Sequence, residues 1–248
     1  MNKSLYTISE NALIASKTYK MVLIGNGVVE GEFVDIGIPG FYLRRPLSIC
    51  DKEEGKLTVV YKVVGEGTKV LSEMGVGAVL EVLTGLGRGF DPAACKASAL
   101  LVGGGLGVPP LYLLAKELKA RGKRVTAVLG FNKADEIVLK EEFEALCDTV
   151  AITTLDGSVG IKGFVTDALK EMACAAGHDG EYDFFYTCGP MVMMKAVCGL
   201  LSGPGEASLE ERMGCGAGFC YGCSIQTTAG PRRVCKDGPV FNKEEILW

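Results

Sequence analysis

Histidine is almost absent from this chain. The 248 residues contain one, His178, so a Ser-His-Asp triad or a metal site built from several histidines is nearly excluded. We expect His178 itself to lie in a solvated loop. Basic blocks and RNA-binding signatures are also lacking, and the net charge is −4. Nucleic acid is therefore not an expected partner.

Segments typical of membrane proteins are lacking as well. Residues 1–20 have no apolar core of the kind found in secretory signals. The longest uncharged run, residues 97–115, reaches the length of a membrane span but carries GGG and PP at its centre. A strand, a glycine loop and a helix start explain this run better. Ten cysteines without a signal favour a reducing compartment. We expect a cytoplasmic location and no membrane partner.

What is present divides the chain into three segments. Residues 1–95 contain short β-branched, apolar stretches between glycine turns, which predict an antiparallel β-barrel. Residues 96–205 alternate apolar strands with helical patterns, which predicts a doubly wound parallel sheet. Residues 206–248 follow neither pattern and hold four of the ten cysteines. This last segment is too short and loop-rich for much of a core, so we expect something to staple it.

The cysteines of the last segment have a specific spacing. Gaps of four, two and eleven residues separate Cys215, Cys220, Cys223 and Cys235. Plant-type 2Fe–2S sites have gaps of four, then two, then a variable distance. The glycines between these thiols let the chain curl around a compact cluster. The other cysteines are expected to be small core residues or free thiols: Cys50, Cys95, Cys147, Cys174 and Cys198.

Three alternatives compete with iron and sulfide. A zinc site with four cysteines has paired C-x-x-C hooks, whereas only Cys220 and Cys223 form such a pair here. A thioredoxin-like redox pair at the same two residues would open a helix in a βαβ unit, and that context is missing. Structural disulfides would need an oxidising compartment. The iron–sulfur interpretation is therefore favoured.

Two further stretches are suited to bind phosphate groups. Residues 41–50, FYLRRPLSIC, form an extended segment in which an arginine can clamp a pyrophosphate, although arginines on a barrel are usually solvated. Gly103, Gly105 and Gly107 lie between a strand and a helix, where backbone amides suit phosphate. The loop is not G-x-G-x-x-G, and packing alone is an alternative explanation.

Cys188, Gly189 and Pro190 follow the last predicted strand of the sheet and precede a helix that Pro190 suits as a first-turn residue. Ligands of doubly wound sheets bind at the carboxyl ends of strands, so a nicotinamide is expected to lie here. The alternative for Cys188 is a small buried thiol.

The order of these motifs resembles the ferredoxin–NADP reductase superfamily, in which a flavin-binding barrel precedes a pyridine-nucleotide domain. Within it, the set LRRPLSI, GEGT, GLGRGF, GGGLGVPPL, DGSVGIKGFVT, CGPMVMM and CGAGFCYGC with CKDGPVF is similar to the electron-transfer subunits of dihydroorotate dehydrogenase B. Two positions depart from that family: residues 30–33 are EGEF in place of PGQF, and Arg88 replaces an asparagine.

The resemblance assigns residues to three cofactors. It implies FAD contacts at Arg45, Pro46, Leu47, Ser48, Tyr61, Lys62, Val63, Gly67 and Thr68. It implies contacts with NAD, a co-substrate, at Gly103, Gly105, Gly107, Cys188, Gly189 and Pro190. The 2Fe–2S cluster takes Cys215, Cys220, Cys223 and Cys235. The acids of NKADE, residues 132–136, disfavour the 2′-phosphate of NADP.

The resemblance also implies a function and a partner. The chain is expected to pass electrons between NAD and an FMN-containing catalytic subunit that oxidises dihydroorotate in pyrimidine biosynthesis, in a heterotetramer of two of each. No side chain is expected to act as a catalytic acid or base, because the cofactors carry the reaction. One alternative is a reductase subunit with the same cofactors for a ferredoxin, hydrogenase or sulfide-linked partner. A zinc-stapled binding module without activity is the alternative from another class.

Overall fold

The computed structural model describes residues 1–26, 31–176 and 182–248, with the backbone alone for 173–176. His178, the side chain of Cys174 and Glu30, the first residue of EGEF, lie outside the described residues, so the structure does not test the expectations for them. Two compact units make up the chain. One contains Met1–Gly89 and Glu210–Val240, and the other contains Phe90–Leu209 and Phe241–Trp248. The three segments expected from the sequence stay a prediction about domains.

The first unit is built on a closed barrel of six antiparallel strands in the order β1-β2-β5-β4-β3-β6. Burial alternates along β6, as expected for a strand with one face on a core. The first strand has 14 residues and pairs with both β2 and β6, which closes the barrel and removes its free edges. The predicted barrel is confirmed. Its strands are β1 (Asn2–Ala15), β2 (Thr18–Ile24), β3 (Phe33–Gly37), β4 (Arg45–Glu53), β5 (Lys56–Lys62) and β6 (Val79–Leu86).

A short helix, α1 (Glu66–Glu73), follows β5 and was not predicted from the sequence. Two glycines in GEGT are poor helix formers, so local propensity gives little signal. The Thr68 hydroxyl accepts hydrogen bonds from the N–H groups of Val64 (3.0 Å) and Gly65 (3.2 Å). At the other end, the Asn11 amide of β1 donates to the carbonyls of Leu71 and Met74, both at 2.9 Å. Contacts with the barrel therefore fix this helix.

The same unit contains the cysteine-rich segment. A two-stranded hairpin, β13 (Ser224–Thr227) with β14 (Gly230–Arg233), is followed by α6 (Val234–Asp237). Elsewhere in residues 210–239 the chain forms no helix or strand. The Arg233 side chain ties it together: it donates to the Gly218 carbonyl at 2.8 Å, pairs with Asp237 at 3.1 Å and lies over the Tyr221 ring, 4.8 Å from its centroid.

The second unit contains a seven-stranded sheet in the order β10-β9-β8-β7-β11-β12-β15. All pairs from β10 to β12 are parallel. Val102, Val128 and Phe185 from three central strands pack with α4 and α5 in one apolar core. The strands are β7 (Ser98–Gly104), β8 (Arg124–Phe131), β9 (Thr149–Thr154), β10 (Ile161–Lys162), β11 (Phe184–Cys188), β12 (Gly205–Ser208) and β15 (Val240–Asn242). The helices are α2 (Val108–Ala120), α3 (Lys140–Leu146), α4 (Val165–Ala176) and α5 (Met191–Leu200).

The predicted doubly wound sheet is confirmed, with two differences. Beyond residue 204, where the sequence shows no periodicity, β12 and β15 extend the sheet. Segments of four and three residues are too short to display a period of two. Pro190 is the N-cap of α5 and not part of its first turn. Residues 97–115 form β7, a 3₁₀ turn and the start of α2. Within the described residues, no helix combines the length and the apolar character that crossing a membrane requires.

Candidate functional site

The four cysteines of the cysteine-rich segment, Cys215, Cys220, Cys223 and Cys235, meet in two contacting pairs. The thiols of Cys215 and Cys220 lie within hydrogen-bond range of each other, and so do those of Cys223 and Cys235. Cys220 is exposed and Cys215 partly exposed, whereas Cys223 and Cys235 are buried. One pair therefore faces the surface and the other faces the interior of the unit.

Backbone amides point at these sulfurs. The N–H groups of Phe219 and Cys220 donate to Cys215 Sγ at 3.2 and 3.4 Å, and the Cys235 N–H donates to Cys223 Sγ at 3.4 Å. Burial alone would raise the pKa of Cys215, but hydrogen bonds, chiefly from backbone amides, outweigh it and lower this pKa to about 6. Burial beside Cys223 raises the pKa of Cys235 to about 12. The Cys215 thiol is thus prepared to carry thiolate charge.

The paired thiols can be compared with what a binuclear iron–sulfur cluster requires. A 2Fe–2S cluster needs two thiolates at each of two irons, which matches two pairs. A cluster also needs donors near its sulfurs, and the amides supply them.

A second candidate site lies where β4 begins, beside α1. Arg45, Pro46, Leu47 and Ser48 are the first residues of β4, and Tyr61 and Lys62 end the neighbouring strand β5. The Arg45 guanidinium packs against the first turn of α1: a Cβ on Gly67 would lie 2.3 Å from its Nη2. The structure therefore brings the two predicted flavin segments together. The free N–H groups of a helix first turn and a guanidinium form a suitable cradle for a pyrophosphate.

Arg44, the residue before Arg45, has different contacts. Arg44 forms an ion pair with Glu81 of β6, which Lys3 of β1 also contacts. Its guanidinium also donates to the Glu81 carbonyl at 3.2 Å. Arg44 therefore ties barrel strands together, and Arg45 is the arginine available at the cradle.

Tyr61, Val63 and Thr68 are engaged within the unit. The Tyr61 hydroxyl donates to Asn11 Oδ1 at 2.9 Å, and its ring stacks on Tyr19 with 5.7 Å between centroids. Burial raises the pKa of Tyr61 well above its usual range. The Val63 N–H donates to the Lys17 carbonyl at 2.8 Å. Because the Tyr61 hydroxyl and the Val63 N–H already have partners in the protein, a cofactor would be contacted by other backbone groups and by neighbouring residues.

The third candidate site is in the second unit, at a topological switch. After β7 the chain runs outward through β8, β9 and β10, and it then returns to place β11 on the other side of β7. Such a reversal leaves a crevice at the carboxyl ends of the two strands, where nucleotides bind in open α/β sheets. The predicted glycine loop follows β7, and Cys188, Gly189 and Pro190 end β11.

The two motifs touch each other in this crevice. A Cβ on Gly107 would lie 2.2 Å from the Cys188 carbonyl oxygen and 2.5 Å from the Gly189 nitrogen. Only a residue without a side chain permits that approach. Gly103 and Gly104 pack against side chains of α2 and α5, whereas Gly105 has open space around it and a φ of +53°. Gly103, Gly104 and Gly107 are therefore needed for close packing, whereas the backbone at Gly105 is accessible to a ligand.

Sequence reasoning missed three residues of these sites. Asn11 connects β5 to α1, Asp35 lies under the cysteine-rich loop, and Arg44 ties the barrel. A polar residue inside a β-branched strand, such as Asp35 in FVDIG, is the kind of signal that identifies such positions.

Comparisons with known proteins agree with this geometry. Residues 210–247 match the iron-sulfur cluster binding domain of dihydroorotate dehydrogenase B, and residues 101–199 match the oxidoreductase NAD-binding domain. The "Dihydroorotate dehydrogenase B (NAD(+)), electron transfer subunit" of Fusobacterium nucleatum is 43% identical, with 97% of this chain and 96% of that protein covered. The protein of the same description from Bacillus pumilus is 41% identical, with 99% and 98% covered.

One solved structure is similar over nearly the whole chain. It is that of an NADH-dependent reduced ferredoxin–NADP oxidoreductase, described for flavin-based electron bifurcation. Its TM-score is 0.87 and its sequence identity 31%, with 98% of this chain and 90% of that chain covered. The description of that structure and those of the curated relatives all name electron transfer or electron bifurcation.

Proposed function

Because the chain belongs to the family of electron-transfer subunits of dihydroorotate dehydrogenase B (NAD⁺), we propose that it carries electrons between NAD and a catalytic partner subunit. FAD and a 2Fe–2S cluster serve as its cofactors. The observation that carries this function is the pairing of four thiols, with backbone amides aimed at the sulfurs. A side-chain acid or base has no place in this scheme, since the residues bind and orient cofactors.

The order of the carriers follows from their chemistry. Nicotinamide moves two electrons as a hydride, an iron–sulfur cluster accepts one at a time, and a flavin can exchange electrons in both ways. The flavin therefore stands between NAD and the cluster. Residues of this chain supply the binding sites: the cradle of Arg45 and α1 for the flavin phosphates, and the crevice between Gly107 and Cys188 for the nicotinamide nucleotide.

The proposed FAD contacts are the residues expected from the sequence: Arg45, Pro46, Leu47, Ser48, Tyr61, Lys62, Val63, Gly67 and Thr68. The proposed NAD contacts are Gly103, Gly105, Gly107, Cys188, Gly189 and Pro190. Support comes from the approach of Gly67 to Arg45 and of Gly107 to Cys188. Thr68 acts through its backbone in this scheme, because its hydroxyl already caps α1.

We further propose that the catalytic partner contains FMN, oxidises dihydroorotate and forms a heterotetramer of two of each subunit. Two exposed aromatic residues flank Cys220 and support a contact at the cluster: Phe219 is 77% exposed and Tyr221 is 65% exposed. Aromatic residues are enriched at protein interfaces. A cytoplasmic location fits a site that needs reduced thiols.

A second candidate function is a reductase subunit for a ferredoxin-type partner. The similarity to the reduced ferredoxin–NADP oxidoreductase favours it. The curated relatives, which are 41–43% identical, favour dihydroorotate as the source of electrons. The two candidates share their cofactors and differ only in the partner that they serve.

Visible spectra recorded without oxygen test the cofactors. We expect flavin bands with a broad shoulder to the red, and NADH should bleach both. Adding the catalytic subunit and dihydroorotate should then produce NADH from NAD⁺, whereas this chain alone should give none. A colourless protein that contains zinc would contradict the cofactors. Reduction of ferredoxin without any activity toward the catalytic subunit would favour the second candidate.

Replacing Gly67 by alanine tests the flavin cradle. The new Cβ would lie 2.3 Å from Arg45 Nη2, so the guanidinium must move off the first turn of α1. Losing one charge-assisted contact costs about 2 kcal/mol, or roughly a 30-fold weaker affinity for FAD. Fluorescence titration of the apoprotein with FAD measures this change.

Gly65→Ala is the matched control for that variant. Gly65 is the N-cap of the same helix, has an extended backbone (φ −169°) and has no neighbouring atom within 4 Å of a Cβ. Its FAD affinity should be unchanged. Equal affinities for FAD in Gly67→Ala and Gly65→Ala would contradict the proposal that Arg45 and α1 bind the flavin phosphates.

A further inference from the structure

Asp35 is a buried carboxylate that none of the proposed cofactor contacts uses. It lies in β3, opposite Pro46 of β4 and Leu83 of β6. Its neighbours Val34 and Ile36 are wholly buried. Successive side chains of a strand point to opposite faces, so these two face the barrel interior and Asp35 faces outward. Asp35 is nevertheless only 2% exposed, so another part of the unit covers it.

The cover includes the cysteine-rich loop. A Cβ on Gly216 would lie 2.5 Å from Asp35 Oδ2, so the carboxylate packs on the backbone of the residue that follows Cys215. Gly216 has a φ of +62°, a conformation that favours glycine. Asp35 therefore contacts the residue directly next to Cys215, a proposed cluster ligand. On its other side, Asp35 is paired with the strand that carries Arg45.

The charge of Asp35 is poorly compensated. No described residue forms a hydrogen bond with its Oδ1, and Pro46 opposite has no N–H to offer. Arg44 directs its guanidinium to Glu81 and to the backbone carbonyl of Asp35. Burial raises the pKa of Asp35 to about 6, although Arg44 and Arg45 act to lower it. A leucine or an asparagine here would avoid the cost of burying a charge.

We propose that Asp35 is a positioning residue for electron transfer: its negative charge beside Gly216 lowers the reduction potential of the 2Fe–2S cluster. The inference rests on the proposed function in one respect, that the four cysteines hold this cluster. An added electron makes the cluster more negative, and a nearby negative charge opposes that addition. Burial weakens the screening of this repulsion by water. Local charge is one of the known determinants of cluster potentials. The consequence is that the reduced cluster passes its electron to the flavin more readily.

Asp35→Asn is the main test, because asparagine has nearly the same shape and no charge. The full chain, reconstituted with iron, sulfide and FAD, is titrated at pH 8 with dithionite, and the cluster is followed by EPR. We expect a more positive midpoint potential in the variant, with cluster content and FAD content unchanged. Asp35→Ser, which is smaller and also neutral, should shift the potential in the same direction even if the asparagine perturbs the loop.

Asp51→Asn is the matched control. It removes the same charge from β4, five residues beyond Pro46, or about 17 Å at about 3.4 Å per residue. Its midpoint potential should equal that of the unmodified chain. An unshifted potential in both Asp35 variants, or an equal shift in Asp51→Asn, overturns the inference and leaves the proposed function standing. If the unmodified chain shows no reducible cluster, the proposed function fails and this inference fails with it.

Discussion

Replacing Gly107 by alanine should weaken the binding of NADH while leaving the flavin and the cluster in place. The new Cβ would lie 2.2 Å from the Cys188 carbonyl oxygen and 2.3 Å from its carbonyl carbon. These are backbone atoms of the central strand β11 and cannot rotate away, unlike the tip of a side chain. Either the loop or the end of β11 must shift, and overpacking of this kind costs about 2 kcal/mol. The affinity for NADH should fall roughly 30-fold.

Anaerobic stopped-flow reduction of the flavin by increasing NADH concentrations measures this effect. Gly199→Ala is the control in the same unit, because Gly199 lies in α5 with no atom within 4 Å of a Cβ. Alanine is favoured over glycine inside a helix by up to about 1 kcal/mol, so this variant should be at least as stable and bind NADH normally. Normal NADH binding by a folded Gly107→Ala chain would leave the glycine loop with a packing role only.

Replacing Cys220 by alanine should eliminate the 2Fe–2S cluster without unfolding the chain. Cys220 is the exposed member of the four thiols, so its side chain contributes little to the core. The cluster needs four thiolates, and three cannot satisfy both irons. Flavin bands should remain and should still bleach with NADH, whereas the red shoulder and the EPR signal of the reduced cluster should disappear. Transfer of electrons to the catalytic subunit should fall to background.

Cys198→Ala is the matched control, because Cys198 is a partly buried thiol of α5 in the other unit. It should retain iron, the EPR signal and electron transfer. Metal analysis, EPR after dithionite reduction and NADH-dependent flavin bleaching separate the two variants. A Cys220→Ala chain that still holds two irons per polypeptide and transfers electrons at the normal rate would contradict the assignment of this ligand.

The sequence by itself determined the class of fold and predicted the cluster site. Spacing within one short segment marks Cys215, Cys220 and Cys223 as candidate cluster ligands before any folding is considered. Strands such as β6 also carry their alternation in the sequence, because the period of two follows from local backbone geometry. The resemblance to a known family added the cofactor assignments, which spacing alone does not supply.

Only the tertiary structure decided how distant segments meet. Helix α1 forms in spite of Gly67 in its first turn because Asn11, far away in sequence, binds the carbonyls at its end. Nothing local distinguishes Arg44 from Arg45, yet the barrel pairs one with Glu81 and places the other beside Gly67. The contact of Gly107 with Cys188 depends on the order of the strands, and that of Asp35 with Gly216 depends on where the cysteine-rich loop packs. Such contacts follow from packing and topology, which local propensity does not encode.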